Sequence, residues 1–174
     1  MDTYRFPIGP FQEVPNPSPD QRREWMEGIM GLAPALRLAV HPMTEAQLLT
    51  PYRPGGWTVQ QVVHHMADND MNAFLRFKRA LTEDSPAAGT YREDRWAELG
   101  DYRMPLDPSL ALLEAVHQRF AALLLTLQPA DYARSFVSPT YGALNLDTAL
   151  QRFVWHNRHH TAQIASLKAR MVWA

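Results

Sequence analysis

Four stretches of about 20 residues repeat their apolar side chains at intervals of three and four, the period of an α-helix with one buried face. Four such stretches in a chain of 174 residues predict an all-α fold, a four-helix bundle. The first opens at Ser18-Pro19-Asp20-Gln21, an N-cap serine, a proline at the first helical position and a glutamine placed to complete a capping box. It carries Trp25, Ile29, Leu32 and Leu36 on one face, and Pro34 inside it predicts a kink. The second restarts at Trp57-Thr58-Val59-Gln60-Gln61, again with a capping-box spacing. It runs roughly from Val59 to Leu81 with Val59, Val62, Val63, Met66, Phe74 and Phe77 inward. Asp107-Pro108 opens the third, whose face is Leu110, Leu113, Val116, Phe120, Leu124 and Leu127, and Pro129 ends it. The fourth runs from about Leu146 to Met171.

The segments between them are unequal, which favours a crossover over an ideal up-and-down bundle. Residues 1–18 hold Pro7, Pro10, Pro15 and Pro17 and read as an extended strap. Residues 49–56 are a loop, and residues 84–107 an irregular stretch with a short helix around Trp96 and Leu99. Residues 136–144 contain Ser138-Pro139-Thr140-Tyr141-Gly142, a turn able to join two short strands as a β-hairpin before the last helix, although Pro139 argues against a regular ladder. The length suits one domain spanning residues 1–174.

Composition narrows the function. A formal net charge of -1 gives no electrostatic footprint for nucleic acid or an anionic membrane. The absence of cysteine excludes disulfides, thiolate metal sites and a protein thiol nucleophile. No apolar run is long enough for a transmembrane helix, and the first residues lack a basic start followed by an apolar run, so the expected location is cytoplasmic.

The seven histidines are the remaining anomaly. In the fourth helix, at about 100° per residue, His160 lies about 20° from the centre of the apolar face, His156 about 60° and His159 about 120°, facing outward. His156 and His160 therefore share the inward face one turn apart, a spacing by which one helix gives two ligands to one metal. Asn157 stands where an HExxH motif would have its glutamate. The alternative is a pair of hydrogen-bonded core histidines. A third ligand is available from His64 or His65, which periodicity barely separates. His65 shares its flank with Gln61, Asn69, Asn72 and Arg76, either a polar stripe lining a cavity or a solvated face. His41 reads as a loop residue. His117 falls on the apolar face of the third helix, a core or supporting histidine before a ligand, and Asp68 and Asp70 are placed to orient a ligand or act as bases. Asp68 and His117 are thus the side-chain candidates for a catalytic role beyond the metal.

The run from Thr50 through Pro54-Gly55-Gly56-Trp57-Thr58-Val59 to His64-His65-Met66-Ala67-Asp68 resembles the DinB-like superfamily, and within it the YfiT branch of inferred metal-dependent hydrolases. Phe6-Pro7-Ile8-Gly9, Arg76-Phe77-Lys78, Trp96 to Leu99, His156 to His160 and the Met171-Val172-Trp173 end fit the same pattern, so the resemblance covers about residues 4–174. It implies a four-helix bundle with one divalent metal held by three histidines, which fall here on His65, His156 and His160, and so it selects His65 over His64. It also implies a homodimer. Related branches include transferases and isomerases that use bacillithiol, mycothiol or glutathione.

Three neutral ligands leave a divalent ion its full charge and an open position, which makes water nucleophilic near neutral pH. Zinc suits an all-imidazole set, and nickel or another divalent ion also accepts it. The expected activity is hydrolysis of a small-molecule substrate. The alternatives are transfer of a low-molecular-weight thiol through the same open position, and a non-catalytic metal-binding dimer. Nucleic acid and membrane are not expected partners.

Overall fold

The computed structural model describes residues 2–173. Its four long helices are α1 (Pro19–Val40), α2 (Val59–Thr82), α3 (Asp107–Leu124) and α4 (Leu146–Met171). Their starts lie where the sequence puts them. The Ser18 hydroxyl accepts from the Gln21 amide while the Gln21 side chain accepts from the Ser18 amide, and Thr58 and Gln61 repeat this at α2. Asn145 caps α4 by accepting from the Thr148 amide. Helix α1 continues through Pro34. The third helix stops at Leu124, short of Pro129. There the Thr126 hydroxyl donates to the Leu123 carbonyl, and Pro129 opens a separate 3₁₀ turn instead.

The arrangement is not up-and-down. Helix α1 packs against α3 and α4, and α2 packs against the same two, so α1 faces α2 across one diagonal and α3 faces α4 across the other. Two apolar clusters give the directions. One joins Ile29 and Leu32 with Phe74, Phe77, Phe120, Leu124 and Leu150; the other joins Leu36 and Val40 with Val59, Val62, Leu110, Leu113 and Ile164. Helices α1 and α4 therefore run one way, and α2 and α3 the other. Because α2 and α3 are consecutive, adjacent and parallel, residues 83–106 must travel back along the bundle, a distance of about 36 Å for the 24 residues of α2. That crossover carries a helical turn, Glu93–Trp96, and a 3₁₀ turn, Gly100–Arg103.

Before α4 the hairpin is present. Strand β1 (Ser135–Ser138) pairs antiparallel with β2 (Gly142–Asn145), Ser135 opposite Asn145 and Ser138 opposite Gly142. Pro139 lies in the turn, where its missing N–H costs no ladder bond. The crossover joins the hairpin edge, with Val137 donating to the Pro86 carbonyl and Ala88 to that of Val137. The proline-rich strap (described from residue 2) follows α4 in the opposite direction. Val14 exchanges two hydrogen bonds with the Gln151 side chain, Glu13 accepts from Thr148, and the Arg5 carbonyl accepts from Gln163. Between the two apolar clusters lies a buried polar layer of His65, Asp70, His117, Asn157 and His160.

Candidate metal centre

The loop before α2 is built to place one aromatic ring. Tyr52 donates its amide to the Trp57 carbonyl and Val59 donates to Thr50, closing residues 50–59 on themselves. Gly55 takes φ +67, in the left-handed region, and a Cβ on Gly56 would meet the Tyr52 ring at 2.9 Å. The loop thus sets Trp57 with its ring centroid 4.6 Å from that of His65.

His65, at the second turn of α2, points into the polar layer and meets His156 and His160 of α4. Its Nε2 is 3.1 Å from His156 Nε2, which is 3.2 Å from His160 Nε2. One ligand atom from each ring lies within 4.8 Å of the other two, the only such group of three or more metal-ligating side chains among the described residues. Imidazole nitrogens at a tetrahedral zinc, about 2.0–2.1 Å from the ion, stand about 3.3–3.4 Å apart, so these rings need little movement to close on one.

The neighbours bear on which nitrogen carries each proton. The Gln163 amide nitrogen donates to the Arg5 carbonyl, so its Oε1 accepts from His160 Nδ1–H at 2.8 Å and that ring presents an Nε2 lone pair to the centre. His65 Nδ1 lies 2.9 Å from the Tyr91 hydroxyl, which is able to accept from it and so to leave the His65 Nε2 lone pair to the centre as well. His156 differs. Its Nδ1 accepts from the Asn69 amide at 3.2 Å, which leaves its proton on Nε2, shared with the lone pairs of the other two. A bound ion requires that proton to move to Nδ1 and the Asn69 amide to turn its oxygen to the ring. The donor set fits a divalent ion, with one tautomer to change.

Burial keeps all three rings neutral. Loss of solvent, then the charges of neighbouring histidines, hold His65 and His156 well below the ordinary histidine value, and burial, then His159, carries His160 down to about 3. Burial also pushes the Tyr91 phenol above its usual range, with the Asp68 carboxylate adding to it, so the hydroxyl facing His65 stays protonated.

The other predicted residues lie around this cluster rather than in it. His64 is buried toward α3, its Nδ1 2.8 Å from the Ser109 hydroxyl and its Nε2 3.1 Å from the Met104 carbonyl. Asp68 accepts from Tyr102 at 2.7 Å. His117 Nε2 lies 2.7 Å from Asp70 Oδ2, and the other Asp70 oxygen accepts from Asn157 at 3.0 Å. Neither Asp68 nor His117 hydrogen-bonds to any of the three rings. His159 corrects the helical-wheel expectation. It does not face outward but is buried, stacked on Trp155 and beside Phe6, because the N-terminal strap covers that side of α4. Tyr91 and Gln163 were not anticipated. Gln163 had a signal in its spacing, one turn beyond His159 and His160, whereas Tyr91 comes from the irregular crossover.

A bundle of this topology with a convergent three-histidine cluster defines a class. Residues 32–164 match the DinB superfamily, and the chain belongs to that superfamily. It is 43% identical over 173 residues to proteins of Bacillus mycoides and Bacillus cereus whose names give them, by inference, as metal-dependent hydrolases; the match covers 99% of this chain and 100% of each relative. The solved structure of YfiT from Bacillus subtilis, described in the same inferred terms and as having an unusual four-helix bundle topology, superposes with a TM-score of 0.96 at 43% identity, over 99% of both chains. The four-helix bundle protein TT2238 shares the fold at 24% identity and a TM-score of 0.58.

Proposed function

We propose that the protein is a metal-dependent hydrolase of a small molecule, holding one divalent ion, zinc by the chemistry of its donors, through His65, His156 and His160. The observation that carries this reading is the meeting of three neutral imidazole Nε2 atoms within 4.8 Å of one another, beside an open cavity. The relatives' names support it. When bound, the ion supplies a Lewis acid that polarises the scissile group and makes water reactive near neutral pH.

The chain's own residues do the rest. Gln163 holds His160 in the tautomer that offers Nε2, the Tyr91 hydroxyl is an acceptor within reach of His65 Nδ1, and Trp57 shields His65 from solvent on the loop side. Asn69 carries the proton adjustment at His156. The cavity between α2, α4 and the hairpin ends at His156 and gives a substrate its approach. The experiment is metal analysis of the purified protein combined with an ester, amide and lactone panel run with and without small thiols. One ion per chain and thiol-independent turnover are expected; turnover that requires an added thiol, with no hydrolysis across the panel, overturns hydrolysis in favour of thiol transfer. Exposed Met171 and Val172 extend the apolar end of α4 and support a homodimer, which light scattering tests against the 19.9 kDa monomer.

A further inference from the structure

The cavity that ends at His156 has a volume of about 120 Å³ and lies between α2, α4 and the inner face of the hairpin. Two arginines line it, Arg76 from α2 and Arg152 from α4, and no carboxylate does. The other half-buried arginines of the bundle have partners: Arg22 forks onto Asp147, and Arg37 meets Glu114. Arg76 and Arg152 have neither an ion pair nor a side-chain hydrogen bond among the described residues. Arg152 is held in place by aromatic faces, its guanidinium 4.3 Å from the Phe11 ring centroid and 4.0 Å from that of Tyr141, and its Nε is buried without a partner. Arg76 is half-buried, and loss of solvent disfavours its charged form. Two unpaired guanidiniums in one concave, acid-free wall are costly to fold around unless a ligand supplies the missing negative charge.

We propose that Arg76 and Arg152 form an anion-binding subsite, so that the substrate is a small molecule bearing a carboxylate or phosphate group at one end and its reactive bond toward His156. The proposal rests on the metal-dependent reading for the position of the reactive bond but not for the anion site itself. A planar guanidinium fork matches either oxyanion through paired N–H donors. The strap contributes Phe11 and the hairpin Tyr141, so two otherwise peripheral segments acquire a role in fixing Arg152.

The test separates the anion site from the metal chemistry. Metal-free protein is titrated calorimetrically with succinate and, separately, with inorganic phosphate, as wild type, R76Q, R152Q, R76Q/R152Q and the charge-keeping R76K/R152K. Saturable, salt-sensitive binding of at least one anion is expected in the wild type, weakened about tenfold by each glutamine substitution and largely kept in the lysine pair; the preferred anion tells carboxylate from phosphate. Metal-loaded protein is then given two esters that differ only in a terminal carboxylate against a methyl group, with about a tenfold kcat/KM preference for the charged one expected to vanish in R76Q/R152Q. Anion binding equal in wild type and R76Q/R152Q, or no saturable binding by the folded wild type, overturns the subsite even if both esters are cleaved. Arginine-dependent binding without cleavage of either ester upholds the subsite and counts against hydrolysis.

Discussion

Gln163 is the residue through which the three-histidine cluster and the N-terminal strap share one side chain, and Gln163→Met tests that link. The side chain is 2% exposed. It accepts from His160 Nδ1 at 2.8 Å and donates to the Arg5 carbonyl at 2.8 Å and to His159 Nε2 at 2.9 Å. Methionine keeps the volume and removes all three bonds. His160 then has no acceptor for Nδ1–H, and nothing holds its Nε2 lone pair toward the centre. Loss of such an outer partner lowers metal affinity by roughly 10–100-fold, or about 1.4–2.8 kcal/mol. Leaving one buried donor unpaired costs about 1–3 kcal/mol, the same range. The metal-free protein also loses the strap contact and the His159 bond, for a total of roughly 3 kcal/mol and a Tm lower by roughly 6–12 °C. Zinc affinity is read by competition with a chromophoric chelator, and stability by calorimetric scans without metal. Gln163→Glu keeps the acceptor and should retain most of the zinc affinity. A Gln163→Met protein that melts early but binds zinc within about twofold of wild type would refute the claim that this glutamine sets the His160 tautomer.

Three further outcomes are expected. His160→Ala should lower zinc affinity beyond the roughly 100-fold ceiling of an outer-partner change, and His159→Ala by less than about tenfold. Equal loss in the two, measured by the same competition, would make His159 a ligand. Asp70→Ala strands His117 Nε2 and the Asn157 amide in the interior, which should cost about 3–5 kcal/mol and lower Tm by roughly 6–20 °C; an unchanged melting curve would contradict the pairing. The third concerns pH. Histidines 65, 156, 159 and 160 are held below 6.5 in the fold, with His159 at about 4 and His160 at about 3, so the unfolded chain binds protons first. Their contribution is fully present above about pH 6.5 and is lost as the pH falls toward 4 and below, at up to about 1.4 kcal/mol per pH unit for each ring. Asp70, raised by burial, works the other way only as the pH falls through its own value toward 3.8. A urea midpoint of the metal-free protein that stays flat from pH 7 to about 4.5 would rule this out.

Helix existence and helix starts were legible because they are local. Ser18 with Gln21 and Thr58 with Gln61 satisfy amides within one turn, and no distant residue is needed to form either box. The hairpin turn was legible for the same reason, and the unequal connections pointed to the crossover. The outward assignment of His159 failed because a helical wheel measures the angle to one apolar stripe, and α4 has two covered sides. The bundle buries one and the strap, through Phe6 and Arg5, buries the other. The choice between His64 and His65 was not available from periodicity, since both are buried, one toward Ser109 and Met104 of the α3 side and one toward α4.

The same distinction explains why the three clustered histidines were easier to read than their support. His156 and His160 are a helical pair that periodicity places inward, and His65 lies on the regular, antiparallel neighbour α2, where periodicity narrows the choice to two adjacent histidines. The partners of their outer ring nitrogens do not follow from periodicity alone. Tyr91 arrives on the crossover that the parallel, adjacent placement of α2 and α3 makes necessary, and the Arg5 carbonyl that anchors Gln163 arrives on the strap. Arg152 is held by one ring from the strap and one from the hairpin turn. The irregular segments are therefore part of the site rather than connections around it. Each supplies polar or aromatic contacts to side chains already aimed by a helix, contacts that no helical or strand period can express.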